Sequence, residues 1–257
     1  QAGSDLANLR TLAIAEGDDY VLDGQKIWIT TAHLARWGLF LVRTDAEAIA
    51  EKRKHEGITA LIVDMEVPGI TVRPIRDITG EEMFCEITFD GARIPQAYRL
   101  GGEGEGWQVA MGTLGSERVG TAGLAIGMRS DLDAMVSLAR SVNPGALDDP
   151  ELRERIADAH TRIEYTKLLN YRALSKILRD EKNWPEVPLA KLQWSYLAQT
   201  LAELAVDLLG PDALPSKGEP GAIDGGAWNR LYVFQRYTSI GAGTTEVQKN
   251  IIADKAI

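Results

Sequence analysis

Small residues, hydroxyls and a carboxylate stand together near the end of the chain, in Ile240-Gly241-Ala242-Gly243-Thr244-Thr245-Glu246-Val247-Gln248-Lys249-Asn250-Ile251-Ile252-Ala253. The Gly-Ala-Gly step lets another group approach the backbone closely. Thr244 and Thr245 add hydroxyls and free amide groups at a helix start, where an anionic ligand is favoured. A second group with chemical potential is Glu117, in Leu114-Gly115-Ser116-Glu117-Arg118-Val119. Gly120, Ala122, Gly123 and Leu124 follow it, so the helix there can be buried on several sides. A glutamate in a dry, apolar setting is held near neutral pKa and can take a proton. An ordinary Glu-Arg pair on a wet helix face is the alternative. The third group is Trp28-Ile29-Thr30, an aromatic beside a β-former and a hydroxyl. Taken by itself it reads as a buried strand aromatic next to a β-former.

Composition limits the setting of these groups. The 257 residues suffice for two modest domains or one large one. Hydrophobic content of 45% and charged content of 25% belong to ordinary globular proteins. A net charge of −9 argues against binding through nucleic-acid phosphates or an anionic membrane surface. One cysteine, Cys85, excludes an internal disulfide and a thiolate metal cluster, and reads as a small buried strand residue. His33, His55 and His160 lack metal-ligand spacing, so no metal site is expected. There is no run of 18 apolar residues, and the first residues do not read as a signal peptide.

The elements that must position these groups divide near residue 100. Residues 9–95 read as strands: Tyr20-Val21-Leu22 and Lys26-Ile27-Trp28-Ile29-Thr30 on either side of an Asp23-Gly24 hairpin turn, then Leu39–Val42, Thr59–Val63, Ile70–Val72 and Glu86–Phe89. Gly101-Gly102-Glu103-Gly104-Glu105-Gly106 lacks dinucleotide-loop spacing and carries two carboxylates, which predicts a flexible linker. Helices are predicted from Trp107 to about Arg140, from about Pro150, over about Val187–Leu209, over Trp228–Tyr237 and from about Thr244. Leu152, Ile156, Ala159 and Ile163 form one stripe, and Leu197, Leu201, Leu204 and Leu208 another. The predicted class is α+β: an antiparallel β-barrel or sandwich domain over 1–100, then a four-helix-type bundle over 101–257.

Gln1-Ala2-Gly3-Ser4-Asp5-Leu6, Trp28-Ile29-Thr30 and the Gly243-Thr244-Thr245-Glu246 segment, in that order, resemble the acyl-CoA dehydrogenase family. The resemblance covers essentially the whole chain. It implies FAD as cofactor and an acyl-CoA as substrate, with Trp28, Ile29 and Thr30 against the flavin ring and Thr244, Thr245 and Glu246 also on the cofactor. It further implies that Ser4 and Gly243 face the acyl-CoA, while Asp5 holds its loop. In such enzymes a helical domain precedes the β domain; here it is absent, and the sequence is expected to begin in mid-fold.

The family's usual catalytic glutamate position holds Ala242 in this chain. In members lacking that glutamate the base stands on the first long helix of the C-terminal domain, which implies Glu117. The implied reaction is α,β-dehydrogenation of an acyl thioester, with Glu117 removing the α-proton and FAD accepting the β-hydride. The resemblance leaves two alternatives: a non-catalytic subunit of a hetero-oligomeric dehydrogenase, and an acyl-CoA oxidase. It also implies a homo- or hetero-oligomer (dimer or tetramer), an electron-transferring flavoprotein as acceptor, lipid metabolism, and a bacterial-type cytoplasmic setting. Of the family's inter-subunit flavin contacts, only Arg140 corresponds, and Leu208-Leu209-Gly210-Pro211 departs from the usual segment. Arg153 and Arg155, at a helix start, read as solvated.

Overall fold

The computed structural model describes residues 2–117, 123–179, 181 and 185–256, and only the backbone at 114–117, 124, 255 and 256. Two compact units emerge, Gln1–Gly115 and Ser116–Ile257. The division falls near the end of the first bundle helix rather than in the glycine run.

The first unit is a seven-stranded sheet in the order β5-β6-β2-β1-β3-β4-β7. Its strands are β1 (Leu12–Glu16), β2 (Asp19–Thr30), β3 (Trp37–Arg43), β4 (Ile58–Asp64), β5 (Ile70–Ile75), β6 (Phe84–Pro95) and β7 (Arg99–Leu100). Neighbours are antiparallel except β1 and β3, which meet in parallel at Leu12 and Arg43. Tyr20, Leu22, Phe40, Val42, Leu61, Val63, Ile87 and Ile94 fill one core, and Cys85 is buried among them as expected.

Two sequence expectations fail here for a physical reason. Asp23-Gly24 is not a hairpin turn. The β1–β2 turn is made at Gly17-Asp18, with Gly17 at φ +64, and β2 runs unbroken through Asp23-Gly24. That step is an irregularity in the β2–β6 ladder, where the register shifts between Leu22 and Gly24 and Asp23 Oδ1 accepts a 3.0 Å bond from Gly91 N. Pairing with β6 thus overrides a local turn signal. Nor is the 101–106 run a linker. Gly104 N donates to Thr59 Oγ1 at 3.0 Å, Gly102 N donates to Glu105 at 2.8 Å, and Tyr20 OH donates to Glu103 at 2.5 Å. A Cβ on Gly106 would stand 2.7 Å from the Thr59 carbonyl carbon, so glycine serves close packing there.

The second unit begins at the end of α1 (Gly106–Glu117) and holds α2 (Leu124–Val142), α3 (Pro150–Leu178), α4 (Glu186–Leu209), α5 (Ala227–Phe234) and α6 (Thr245–Ala256). The α3 start is set by Asp149, whose carboxylate accepts from Glu151 N at 2.8 Å, with Pro150 in the first turn. Helix α4 packs against α2, α3, α5 and α6, and its predicted Leu197, Leu201, Leu204, Leu208 stripe is buried. Gly210, at φ 68, ends it. Arg155 pairs with Asp207 at 2.8 Å rather than standing free. Among the described residues no helix is long and apolar enough to cross a membrane.

Lys26 gives the sheet a pH dependence. Its ammonium donates to the Leu41 carbonyl at 2.6 Å, and burial pulls its pKa down from 10.5 to about 8. Below pH 8 folded and unfolded chains both hold the proton, and the cost of burying the charge is fully present. Between about 8 and 10.5 the unfolded chain keeps a proton that the folded one has released, so stability should rise with pH. The expected gain is about 1–3 kcal/mol. Urea titrations across this window should show the rise in wild type and a flatter profile in Lys26→Met; identical profiles would disprove the assignment.

Candidate functional site

Trp28 owes its position to a second slip in the β2–β6 ladder. Register passes from Lys26 opposite Ile87 to Ile29 opposite Cys85, so Ile27 and Trp28 together face Glu86. At the slip Trp28 adopts φ 64, a left-handed conformation that is costly for a bulky residue and persists only where its surroundings impose it. Bulges of this kind re-aim side chains. Trp28 is 60% exposed, and its ring meets that of Phe84 in a T-shaped contact at 6.1 Å between ring centroids. Within this unit, then, Trp28 is not part of the sheet core.

The neighbours of Trp28 have separate fates. Ile29 packs into the sheet core, leaving mainly its backbone for a ligand. Thr30 is exposed at the end of β2. The next residue, Thr31, is left-handed at φ 50, and its N–H donates to the Met83 carbonyl at 2.7 Å. Below them His33 Nδ1 lies 3.2 Å from Cys85 Sγ, tying the following turn to β6. Ser4 is exposed on an N-terminal turn, and Asp5 pairs with Lys54 at 2.9 Å, which matches its expected role in holding the loop.

In the helical unit the terminal loop makes two consecutive left-handed residues, Ala242 at φ 54 and Gly243 at φ 86. Gly241 lies on the ring of Tyr237, where a Cβ would come within 3.0 Å of the ring edge. Gln248 reaches back from α6, and its Nε2 donates to the Ala242 carbonyl at 3.1 Å. The same side chain closes the space above Gly243, where a Cβ would stand 2.5 Å from Nε2. Thr244 caps α6: its Oγ1 accepts from Val247 N at 3.2 Å. Thr245 Oγ1 is buried and has no hydrogen-bond partner among the described residues. Glu246 lies in the first turn of α6, where the helix dipole favours an acid.

A polar anchor below this loop escapes sequence reading. Lys191, 3% exposed on α4, donates to the Thr238 carbonyl at 2.9 Å, and Ser195 Oγ donates to the same oxygen at 2.8 Å. Burial pulls the Lys191 pKa down, and Glu246 opposes that shift. The available signal was a Lys and a Ser spaced four apart in a strongly apolar helix. Glu117 ends α1 in the backbone, and its side chain lies outside the described residues, as do Arg118–Ala122.

Each unit, taken by itself, carries one feature that would suit a flavin: in the first an indole displayed by a strained bulge, and in the second a buried hydroxyl at a helix start without a partner among the described residues. Comparison with known proteins defines the class. Residues 1–92 match the model of the acyl-CoA dehydrogenase middle domain, and residues 104–257 match that of the C-terminal domain. The chain belongs to the acyl-CoA dehydrogenase family. It is 37% identical over 257 residues to acyl-CoA dehydrogenase IpdE1 of Mycobacterium tuberculosis, covering 100% of this chain and 64% of that protein. Among solved structures, the Tcur3481-Tcur3483 steroid ACAD superposes with a TM-score of 0.89 at 29% identity, over 98% of this chain and 64% of that one. The ChsE4-ChsE5 complex from Mycobacterium tuberculosis superposes with a TM-score of 0.84 at 30% identity, over 99% and 65%. The chain thus spans a little under two thirds of the length of these relatives.

Proposed function

We propose that the protein to which this chain belongs is an FAD-dependent acyl-CoA dehydrogenase that introduces an α,β double bond into an acyl thioester. FAD, when bound, supplies the acceptor for the β-hydride. Trp28 offers its indole face to the ring system, and Thr30 offers a hydroxyl to a ring heteroatom. Thr244, Thr245 and Glu246 hold the cofactor at the start of α6, where the buried Thr245 hydroxyl has no hydrogen-bond partner among the described residues. Gly243 lets the thioester approach the backbone, Ser4 contacts the acyl-CoA, and Glu117 takes the α-proton. The observation that carries this reading is the left-handed, exposed Trp28. Anaerobic titration of the full-length, FAD-loaded protein with acyl-CoAs tests it: bleaching of the visible flavin band is the expected result. No bleaching by any thioester, with or without a partner subunit, would overturn it.

Ala242 favours a second reading. A chain lacking the loop carboxylate can be the non-catalytic subunit of a hetero-oligomer, and one solved relative is a complex of two named proteins. Wild type that stays inactive until an unlike subunit is added would select this reading. In either case an electron-transferring flavoprotein is the proposed acceptor.

Trp28→Ala should weaken flavin retention by about 1–3 kcal/mol, the usual worth of an aromatic stacking position. Thr30→Val should chiefly shift the flavin spectrum, since one hydrogen bond is worth about 1 kcal/mol. Unchanged FAD content in purified Trp28→Ala would remove this residue from the cofactor site.

A further inference from the structure

The terminal loop is held more firmly at its base than at its tip. At the base the Thr238 carbonyl accepts from Lys191 Nζ at 2.9 Å and from Ser195 Oγ at 2.8 Å. The Tyr237 carbonyl accepts from Ile240 N at 2.8 Å and from Gly241 N at 2.9 Å. At the tip the Ala242 carbonyl has one donor among the described residues, Nε2 of Gln248 at 3.1 Å. There the backbone is left-handed twice in succession, with Ala242 at φ 54 and Gly243 at φ 86. Alanine does not hold that conformation by preference, so its surroundings must impose it.

Gln248 is placed to do so. It is 2% exposed, and its own N–H donates to the Thr244 carbonyl at 2.9 Å in the first turn of α6. Its amide covers Gly243, where a Cβ would stand 2.5 Å from Nε2 and 3.9 Å from Val247 Cγ1. Glycine at 243 therefore serves the packing of Gln248 as well as the positive φ. A trans peptide carries its C=O and N–H in opposite directions. Holding the Ala242 oxygen toward Gln248 thus turns the Gly243 N–H away from it. One buried side chain, fixed in a helix, sets the orientation of the Ala242–Gly243 peptide.

We propose that Gln248 is a positioning residue for the flavin reduction proposed above, acting through the Ala242 carbonyl to fix the loop tip at which the thioester reacts. The inference rests on the acyl-CoA reading, which places Gly243 against the thioester. Gln248 touches neither cofactor nor substrate in this role. Its loss should lower the rate rather than release the cofactor, because a slightly displaced thioester loses reactive geometry before it loses affinity.

The test uses full-length, FAD-loaded protein with butyryl-, octanoyl- and palmitoyl-CoA, and the thioester that bleaches wild type fastest is carried forward. Stopped-flow bleaching over a range of its concentrations separates the limiting rate from the half-saturating concentration. Gln248→Met keeps much of the volume and removes the donor. It should retain FAD, move half-saturation by less than about threefold, and lower the limiting rate at least about tenfold. Ser195→Ala leaves Lys191 on the Thr238 carbonyl and should slow bleaching less. Gln248→Glu gives a signature within a single folded protein. Its ionised carboxylate repels the Ala242 oxygen, whereas its protonated form donates to that oxygen as the amide does. Burial raises the pKa of such a carboxyl, so the rate relative to wild type should climb as pH falls from about 8 to about 6. The same ratio should stay flat in Gln248→Met. Three results overturn the positioning role and leave the acyl-CoA reading intact: a wild-type rate in Gln248→Met, a loss matched by lost FAD or equalled in Ser195→Ala, or a pH-independent ratio in Gln248→Glu. Wild type that none of the thioesters bleaches, with or without a partner subunit, overturns the acyl-CoA reading, and the positioning role with it.

Discussion

Glu117→Gln is expected to keep FAD and acyl-CoA binding while slowing flavin reduction by at least about a hundredfold, the low end for loss of a general base. Glutamine preserves size and helix propensity but cannot take a proton at neutral pH. The paired variant adds Ala242→Glu. Ala242 already stands at φ 54, so a glutamate there incurs no left-handed strain that the alanine does not already bear. Gln248 holds the Ala242 carbonyl through a backbone contact that the substitution leaves in place. Partial recovery of flavin reduction in the double variant would put both positions around one α-carbon. Stopped-flow bleaching of the visible flavin band reads both effects. Reduction of Glu117→Gln at the wild-type rate would eliminate Glu117 as the base.

What was legible in the sequence was periodic or adjacent. The Leu197–Leu208 stripe and the Asp149-Pro150 start are local patterns with one dominant solution, and the structure keeps them. Asp23-Gly24 is just as local a pattern, yet Gly17-Asp18, six residues earlier, was equally able to turn the chain. Only the partner strand β6 decides between them, and it lies more than sixty residues away. The 101–106 glycines misled for the same reason: their need is for close contact with β4, which composition does not encode.

The candidate site shows the same division. Gly243, Thr244 and Thr245 form a helix-start pattern, and the capping by Thr244 follows directly. The exposure of Trp28 was not readable, because the bulge breaks the strict alternation that would assign it a face. The Lys191–Ser195 anchor had only a faint local signal, the i, i+4 spacing of its two side chains, because its acceptor, the Thr238 carbonyl, lies more than forty residues away.

Arg43→Met is expected to cost about 3–5 kcal/mol of stability, the usual price of breaking a buried, hydrogen-bonded charge site. At the end of an apolar strand, Arg43 looks like a solvated terminus, but it is 1% exposed. Its guanidinium donates to the carbonyls of Ala7 at 2.6 Å, Glu56 at 2.6 Å, Lys54 at 3.2 Å and Leu9 at 3.4 Å. The side chain therefore fastens the segment after Ser4 to the 54–56 loop, beside the Lys54–Asp5 ion pair. Methionine fills much of the volume but leaves four carbonyls without this donor. Lysine keeps the charge, yet its three donors cannot span the planar fork, so Arg43→Lys should recover only part of the loss. Urea unfolding gives the magnitude, and hydrogen exchange at residues 5–9 gives the location. Exchange should quicken most at that segment in both variants, beyond the general loss of protection that the lower global stability brings. A midpoint within experimental error of wild type, with protected amides at 5–9, would mean that the strand pairing of Arg43 N with the Thr11 carbonyl at 2.7 Å suffices to hold the segment and that the guanidinium is dispensable.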